Sequence, residues 1–98
     1  MKLDNEKGVM DFFDGVLSLK DKAECAAFFS DICTIKELLD FGQRMEVASL
    51  LSKGLNYQLI SEKTGASSAT ISRVNRCLMY GEGGYRTVLD RLDKKDEN

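Results

Sequence analysis

No proline occurs anywhere in this chain of 98 residues. Proline fixes φ and removes a backbone donor, so a chain without it has no built-in kinks or rigid turns. Such a chain leans toward helices joined by short glycine or Ser/Asn turns. The apolar pattern agrees. Val9, Phe12, Phe13, Val16, Leu17 and Leu19 recur at helical steps, the stripe of an amphipathic helix. Asp21 with Glu24 resembles a capping box for a second helix, which carries Ala23, Ala26, Ala27, Phe28 and Ile32. Thr34 with Glu37 is a cleaner box and opens a longer helix through Ile35, Leu38, Leu39, Phe41, Met45, Val47, Ala48, Leu50 and Leu51. Gly42 weakens that helix midway, and Gly54 is placed to end it at the C-cap.

After Gly54 the texture changes. Asn56 can cap a short helix, Tyr57 to Thr64, ended by Gly65, and Ser67 can cap the next, from Ser68 to about Tyr80. A last helix near Tyr85–Leu92 has Tyr85, Val88, Leu89 and Leu92 on one side, and the charged tail from Asp93 to Asn98 reads as a frayed, solvated terminus. The reading is all-α, six helices with no strand, in one domain over residues 1–98. A lone chain of this length buries only about 60–65% of its unfolded surface, so its core is modest. Nearly every turn of the first three helices is nevertheless apolar. That combination points to a core shared with a second copy, the dimerisation helices lying at about 8–53 and 85–93.

Composition then removes function classes. The chain has no His, which takes away the commonest general base and metal ligand and the usual partner of a Ser or Cys nucleophile. No enzyme is expected. Cys25, Cys33 and Cys77 are odd in number and lack CxxC spacing, which supports neither a disulfide framework nor a metal site; they read as buried, reduced thiols of a cytoplasmic protein. The first residues contain no apolar signal segment, and no run approaches the roughly 18 apolar residues of a membrane span. Gly81-Glu82-Gly83-Gly84 lacks the Lys-Ser/Thr ending of a phosphate loop and reads as a hinge.

The net charge is −2, so the chain as a whole is not a basic nucleic-acid binder. It is uneven, however. Residues 1–52 carry −4 and residues 81–98 carry −1, whereas residues 53–80 carry +3 through Lys53, Lys63, Arg73 and Arg76 against Glu62 alone. That basic segment coincides with a helix-turn-helix pattern at about 56–80. Gly65 stands where the sharp turn needs a left-handed backbone. Ile60, Ala66, Ile71 and Val74 fall where the two helices must pack, and Ser61 is small enough for their close crossing. The second helix opens with Ser67, Ser68, Ala69 and Thr70, followed by Ser72, Arg73 and Arg76. Hydroxyls at a helix N-terminus can bond base edges or phosphates, and Ala or Thr methyls can meet a thymine methyl in the major groove of double-stranded DNA. Lys63 and Lys53 would flank the groove as backbone clamps.

The segments Thr34-Ile35-Lys36-Glu37-Leu38, Arg44-Met45-Glu46-Val47-Ala48-Ser49-Leu50-Leu51 and Gly65-Ala66-Ser67-Ser68-Ala69-Thr70-Ile71-Ser72-Arg73 resemble the bacterial Trp-repressor-like family. The likeness is to its broad YerC/YecD-type branch rather than to the tryptophan-responsive repressor itself. It implies a six-helix, intertwined homodimer whose fourth and fifth helices read DNA, hence a sequence-specific transcriptional repressor or other regulator. The resemblance also implies an effector pocket. Arg44 and Arg73 match the two arginines that sandwich the indole of tryptophan, and Thr34 matches another pocket residue. Val74 stands where that repressor has a glycine and would intrude on the ring; Cys77 replaces a serine that holds the ligand's amino group, and a thiol is a poor acceptor. No cofactor is therefore expected, tryptophan included. The competing reading is a helical dimeric protein-interaction module that keeps the fold without specific DNA binding.

Overall fold

The computed structural model describes residues 3–96, and every regular element among them is a helix. In order these are α1 (Lys7–Ser18), α2 (Lys22–Ile32), α3 (Ile35–Ser52), α4 (Tyr57–Thr64), α5 (Ser68–Tyr80) and α6 (Gly84–Asp96). Six helices in an all-α fold is the expected architecture. Of the expected charged terminus, Glu97 and Asn98 lie outside the described residues.

Side-chain caps set most of the helix starts. The Asp21 carboxylate accepts from Glu24 N at 2.8 Å, and the Glu24 carboxylate accepts from Lys20 N at 2.9 Å. At α3 the box is reciprocal: Glu37 N donates to the Thr34 hydroxyl at 3.0 Å, and Thr34 N donates to the Glu37 carboxylate at 2.8 Å. Each such pair answers amide donors that the first turn leaves without partners. Asn56 does the same for α4 by accepting from Leu59 N at 2.9 Å. α3 runs unbroken through Gly42 and then closes on Gly54, whose φ of +86° permits Leu55 N to reach back to Leu50 O and Gly54 N to Leu51 O. Those two bonds are the glycine-dependent closure of a helix C-terminus.

The last helix departs from expectation. α6 continues to Asp96 instead of fraying from Asp93. Lys94 and Lys95 occupy its last turn, where positive charge is favourable against the negative end of the helix dipole.

The chain divides into two compact units, one ending at Leu38 and the other beginning at Leu39. In the first, neither α1 nor α2 contains a buried side chain. What joins them is a set of rings: Phe12 stacks on Phe28 with centroids 5.8 Å apart, and Phe28 meets Phe29 edge-on at 5.5 Å. Such pairs add about 0.5–1.5 kcal/mol each beyond area burial. Leu17 and Ile35 remain 83% and 79% exposed.

The second unit holds the buried core. Val47 and Ala48 of α3, Ile60 of α4, Ala66 of the turn, Ile71, Val74 and Leu78 of α5, and Leu89 of α6 are its members, with Met45, Leu50, Leu51, Leu55 and Tyr85 packed around them. On α6, Tyr85 and Leu89 face this core while Val88 and Leu92 stay exposed, so only half of the expected apolar stripe is used within the chain. The cysteines are free as expected, but Cys25 and Cys77 are exposed and Cys33 half-buried, correcting the expectation of buried thiols. Cys25 and Cys77 sit on helices beside apolar residues yet on the side that turns away from them, which neighbouring residues in sequence do not report, and Cys33 is the extended residue that closes α2.

Ile71 is fully shielded from solvent. Ile71→Ala is expected to lower the unfolding free energy by about 2–5 kcal/mol in urea titrations, with the cavity term dominant. A loss below about 1 kcal/mol would show that the α4–α5 crossing is not tightly packed.

Candidate nucleic-acid interface

α4 and α5 make the helix-turn-helix. α4 ends at Thr64 because Gly65 takes φ +74°, ψ +4°, a left-handed geometry in which its N–H donates to Ser61 O at 2.8 Å. The polar groups of the turn are then satisfied by short side chains. Ser61 Oγ donates to Ala66 O at 2.8 Å, Thr64 Oγ1 donates to Ile60 O at 2.8 Å, and Ala66 N donates to Thr64 Oγ1 at 3.1 Å. Gln43 of α3 reaches across to donate from Nε2 to Thr64 O at 3.2 Å. Because each of these donors meets a specific acceptor, the turn has one arrangement rather than several.

Ser67 starts α5. Its hydroxyl accepts from Thr70 N at 3.2 Å and lies 3.1 Å from the Thr70 hydroxyl. Ser67 and Thr70 are thus engaged in capping, and Thr70 is half-buried, whereas Ser68 and Ala69 are exposed on the first turn. Ile71, Val74 and Leu78 point into the core. The opposite side of the helix carries Ala69, Ser72, Arg73 and Arg76, which together line a shallow cleft of about 290 Å³. Their spacing of three, four and seven residues places a methyl, a hydroxyl and two guanidinium groups on one outward face. Lys63 is exposed in the last turn of α4. Of the residues expected at a DNA surface, Ala69, Ser72, Arg73 and Arg76 share this cleft. Ser68 and Lys63 are exposed outside its lining, and Ser67 and Thr70 shape the helix end.

The candidate effector residues are engaged in different ways. Thr34 caps α3. Val74 is 3% exposed within the core. The Arg44 guanidinium lies over the Phe41 ring, 5.5 Å from its centroid, a cation–π arrangement made within one turn of α3. Burial pushes the Tyr85 phenol above its ordinary pKa; Cys77 adds to that shift and Arg44 opposes it. Tyr85 of α6 therefore shares its electrostatic surroundings with both Cys77 and Arg44. Among the described residues, no three His, Cys, Asp or Glu side chains gather as metal ligands, and no helix is long and apolar enough to cross a membrane.

Gln43 is not singled out by sequence pattern, and Phe41 is read there only as part of the apolar stripe of the third helix. The available signal for Gln43 was a polar residue one turn ahead of Val47, on the flank of α3 that enters the core. Phe41 preceded Arg44 by three residues, the spacing at which helical side chains meet.

Comparison with known proteins matches residues 7–93 to the family model described as Trp repressor protein. The Bacillus subtilis (strain 168) protein named uncharacterized protein YerC is 47% identical over 98 residues, covering 98% of this chain and 94% of that protein. Among solved structures, a TrpR-like protein from Eubacterium eligens ATCC 27750 superposes with a TM-score of 0.90 at 52% identity, covering 94% of each chain. A Staphylococcus aureus protein, whose crystal structure was reported as that of a candidate Trp repressor, gives a TM-score of 0.89 at 38% identity over 95% of each chain.

Because the Ser67 hydroxyl answers an amide at the start of α5, Ser67→Ala is expected to cost about 0.5–2 kcal/mol of stability in chemical denaturation. Ser67→Asp, which keeps the acceptor, is expected to restore most of it.

Proposed function

The chain belongs to the Trp repressor family, and from that premise we propose that it is a sequence-specific DNA-binding transcriptional regulator of the bacterial cytoplasm, acting as a symmetric homodimer through α4 and α5. The observation that carries this reading is the outward cleft of Ala69, Ser72, Arg73 and Arg76 on a helix whose opposite side is locked into the core. In a major groove the Ala69 methyl suits a thymine methyl, the Ser72 hydroxyl a base edge, and the two arginines guanine or phosphate. The capped start of α5, with Ser67, Ser68 and Thr70, favours a phosphate through its oriented amides. Lys63 acts as a backbone clamp.

Two features support the dimer. Large apolar side chains of α1 to α3, among them Leu17, Ile35 and Leu39, are exposed in the single chain. α3 and α6 also border a groove of about 360 Å³ lined in part by Met45, Ser49, Leu89 and Leu92. A second copy of the chain covers these surfaces, and its reading helix then addresses a half-site about 34 Å away or a multiple of that distance. The whole chain, residues 1–98, serves as one Trp-repressor-like domain. Two chains carry a net −4, so attraction to arbitrary DNA is weak and sensitive to salt.

The regulator works without a tryptophan corepressor on this reading. Val74 fills core space with a branched side chain, Cys77 offers only a weak acceptor, and the Arg44 guanidinium already has the Phe41 ring against it. Calorimetric titration with L-tryptophan is expected to give no saturable heat, and micromolar binding would overturn this part.

The main test is selection of bound duplexes from a random-sequence pool, with sedimentation to count the chains bound. Exchanging Ser68, Ala69 and Ser72 together is expected to change the selected sequence. Lys63→Ala is expected to weaken all sequences similarly and to lower the log–log salt slope by about one unit. No enrichment at low salt, with a protein partner captured instead, would favour a protein-interaction module.

A further inference from the structure

Gln43 belongs to neither helix of the reading head, yet its amide Nε2 donates to Thr64 O, the last carbonyl of α4, across 21 positions of sequence. Both residues are half-buried. Gln43 lies one turn before Val47, so its side chain extends the flank of α3 that already enters the core through Val47 and Ala48. Val47 and Ala48 are small and apolar. Contacts of that kind join α3 to the core it shares with α4 and α5 but are non-directional, so they resist separation far better than they resist sliding or rolling. A hydrogen bond is directional, weakening steeply as its angle falls toward about 120°. The Gln43 bond ends on the residue just before the left-handed Gly65, where Thr64 also holds Ala66 N through its hydroxyl. Any roll of the α4–α5 pair on α3 must break this bond or carry the whole turn with it.

We propose that Gln43 is a positioning residue for DNA reading: its bond to Thr64 O fixes the orientation of the helix-turn-helix on α3, and thereby the angle at which α5 enters the groove. The inference rests on the DNA-binding reading above. Gln43 itself lies outside the cleft of Ala69, Ser72, Arg73 and Arg76. Removing the bond leaves the phosphate-binding charges in place but lets the head adopt several angles. Base contacts, which demand one geometry, suffer more than phosphate contacts, which tolerate many.

The test compares wild type with Gln43→Met and Gln43→Glu, which keep the length of the side chain but cannot donate, and with Gln43→Lys, which can. The probes are the duplex selected by the wild-type protein from a random-sequence pool and a scrambled duplex of equal length. The Met and Glu variants are expected to lose roughly three- to tenfold in affinity for the selected duplex, the worth of about one hydrogen bond. Gln43→Met is expected to bind the scrambled duplex as wild type does, and Gln43→Lys to recover most of the discrimination between the two probes. Amide exchange read on the same proteins should accelerate at Gly65 and Ala66 in the Met variant while the α1 and α2 amides stay unchanged. Equal discrimination in wild type and the Met variant would overturn the proposal. So would equal losses on both duplexes, or a Lys variant as impaired as Met. If the wild-type protein selects no duplex, the DNA-binding reading has failed instead. The exchange comparison then decides the tether alone: faster turn exchange in Gln43→Met supports it, and unchanged exchange overturns it.

Discussion

The helix-turn-helix of α4 and α5 depends on one chain reversal. Ile60 and Ile71, both wholly shielded, face each other across α4 and α5 only because Gly65 turns the backbone at φ +74° between them. A residue with a Cβ meets no neighbouring atom there, so the demand on this position is conformational rather than spatial. A left-handed residue other than glycine costs roughly 1–2 kcal/mol. That is a large share of the roughly 5–15 kcal/mol by which domains are stable at all. With the turn in place, Ala66 enters the core immediately after the glycine and Ser67 caps α5 one residue later. Three consecutive residues thus perform a reversal, a core contact and a helix start.

The two units solve their stability problem differently. In the second, eight buried side chains form a contiguous core, and the turn's polar groups are answered by Ser61, Thr64 and Gln43. Apolar burial supplies the attraction there and directional bonds supply the angle. In the first, four phenylalanine rings meet one another without any side chain of α1 or α2 becoming buried. Helices of 12 and 11 residues are marginal in water unless an apolar face is covered. Exposed leucines and isoleucines on such short helices therefore carry a physical demand for cover, which a second copy of the chain meets on the proposed reading.

Most of the fold was legible in the sequence because its signals are local. Caps at Asp21, Thr34, Asn56 and Ser67, and stops at Gly54 and Gly65, act within about one turn and act alike whatever surrounds them. The crossing series Ile60, Ala66, Ile71 and Val74 was legible for the same reason, since helical periodicity dictates which side each residue occupies. The end of α6 was missed because a charged tail looks solvated, while Lys94 and Lys95 are suited to a helix C-terminus. Cysteine exposure is not legible because apolar neighbours of Cys25 and Cys77 in sequence lie on different sides of a helix, while Cys33 falls at the end of α2. Within the candidate site, the segment was legible but the division of labour was not. Ser67, Ser68, Thr70 and Ser72 look alike in sequence; only packing separates the hydroxyls spent on capping from the one that lines the outward cleft. A polar residue on the inner flank of α3 marks Gln43, but its bond is not legible, because the partner is a backbone carbonyl 21 residues away and no side-chain pattern records a carbonyl.

On the proposed reading, the distribution of charge explains how a slightly acidic chain can read DNA. At physiological ionic strength charges are screened beyond about 8 Å. What a phosphate feels is then the face against it, not the total. On α5 that face presents Arg73 and Arg76, and residues 53–80 contain Glu62 as their one acid. The −4 of residues 1–52 acts where screening fails, at low salt and long range, and there it opposes unselective approach to DNA. A globally basic protein gains affinity on any sequence from counterion release. On the proposed reading this chain has little of that general attraction to draw on, so its hold on DNA comes from contacts that only a well-aimed α5 makes. The acidity of the scaffold and the rigidity of the turn are in that sense one requirement: a reader with weak background attraction discriminates only as well as its reading helix is held.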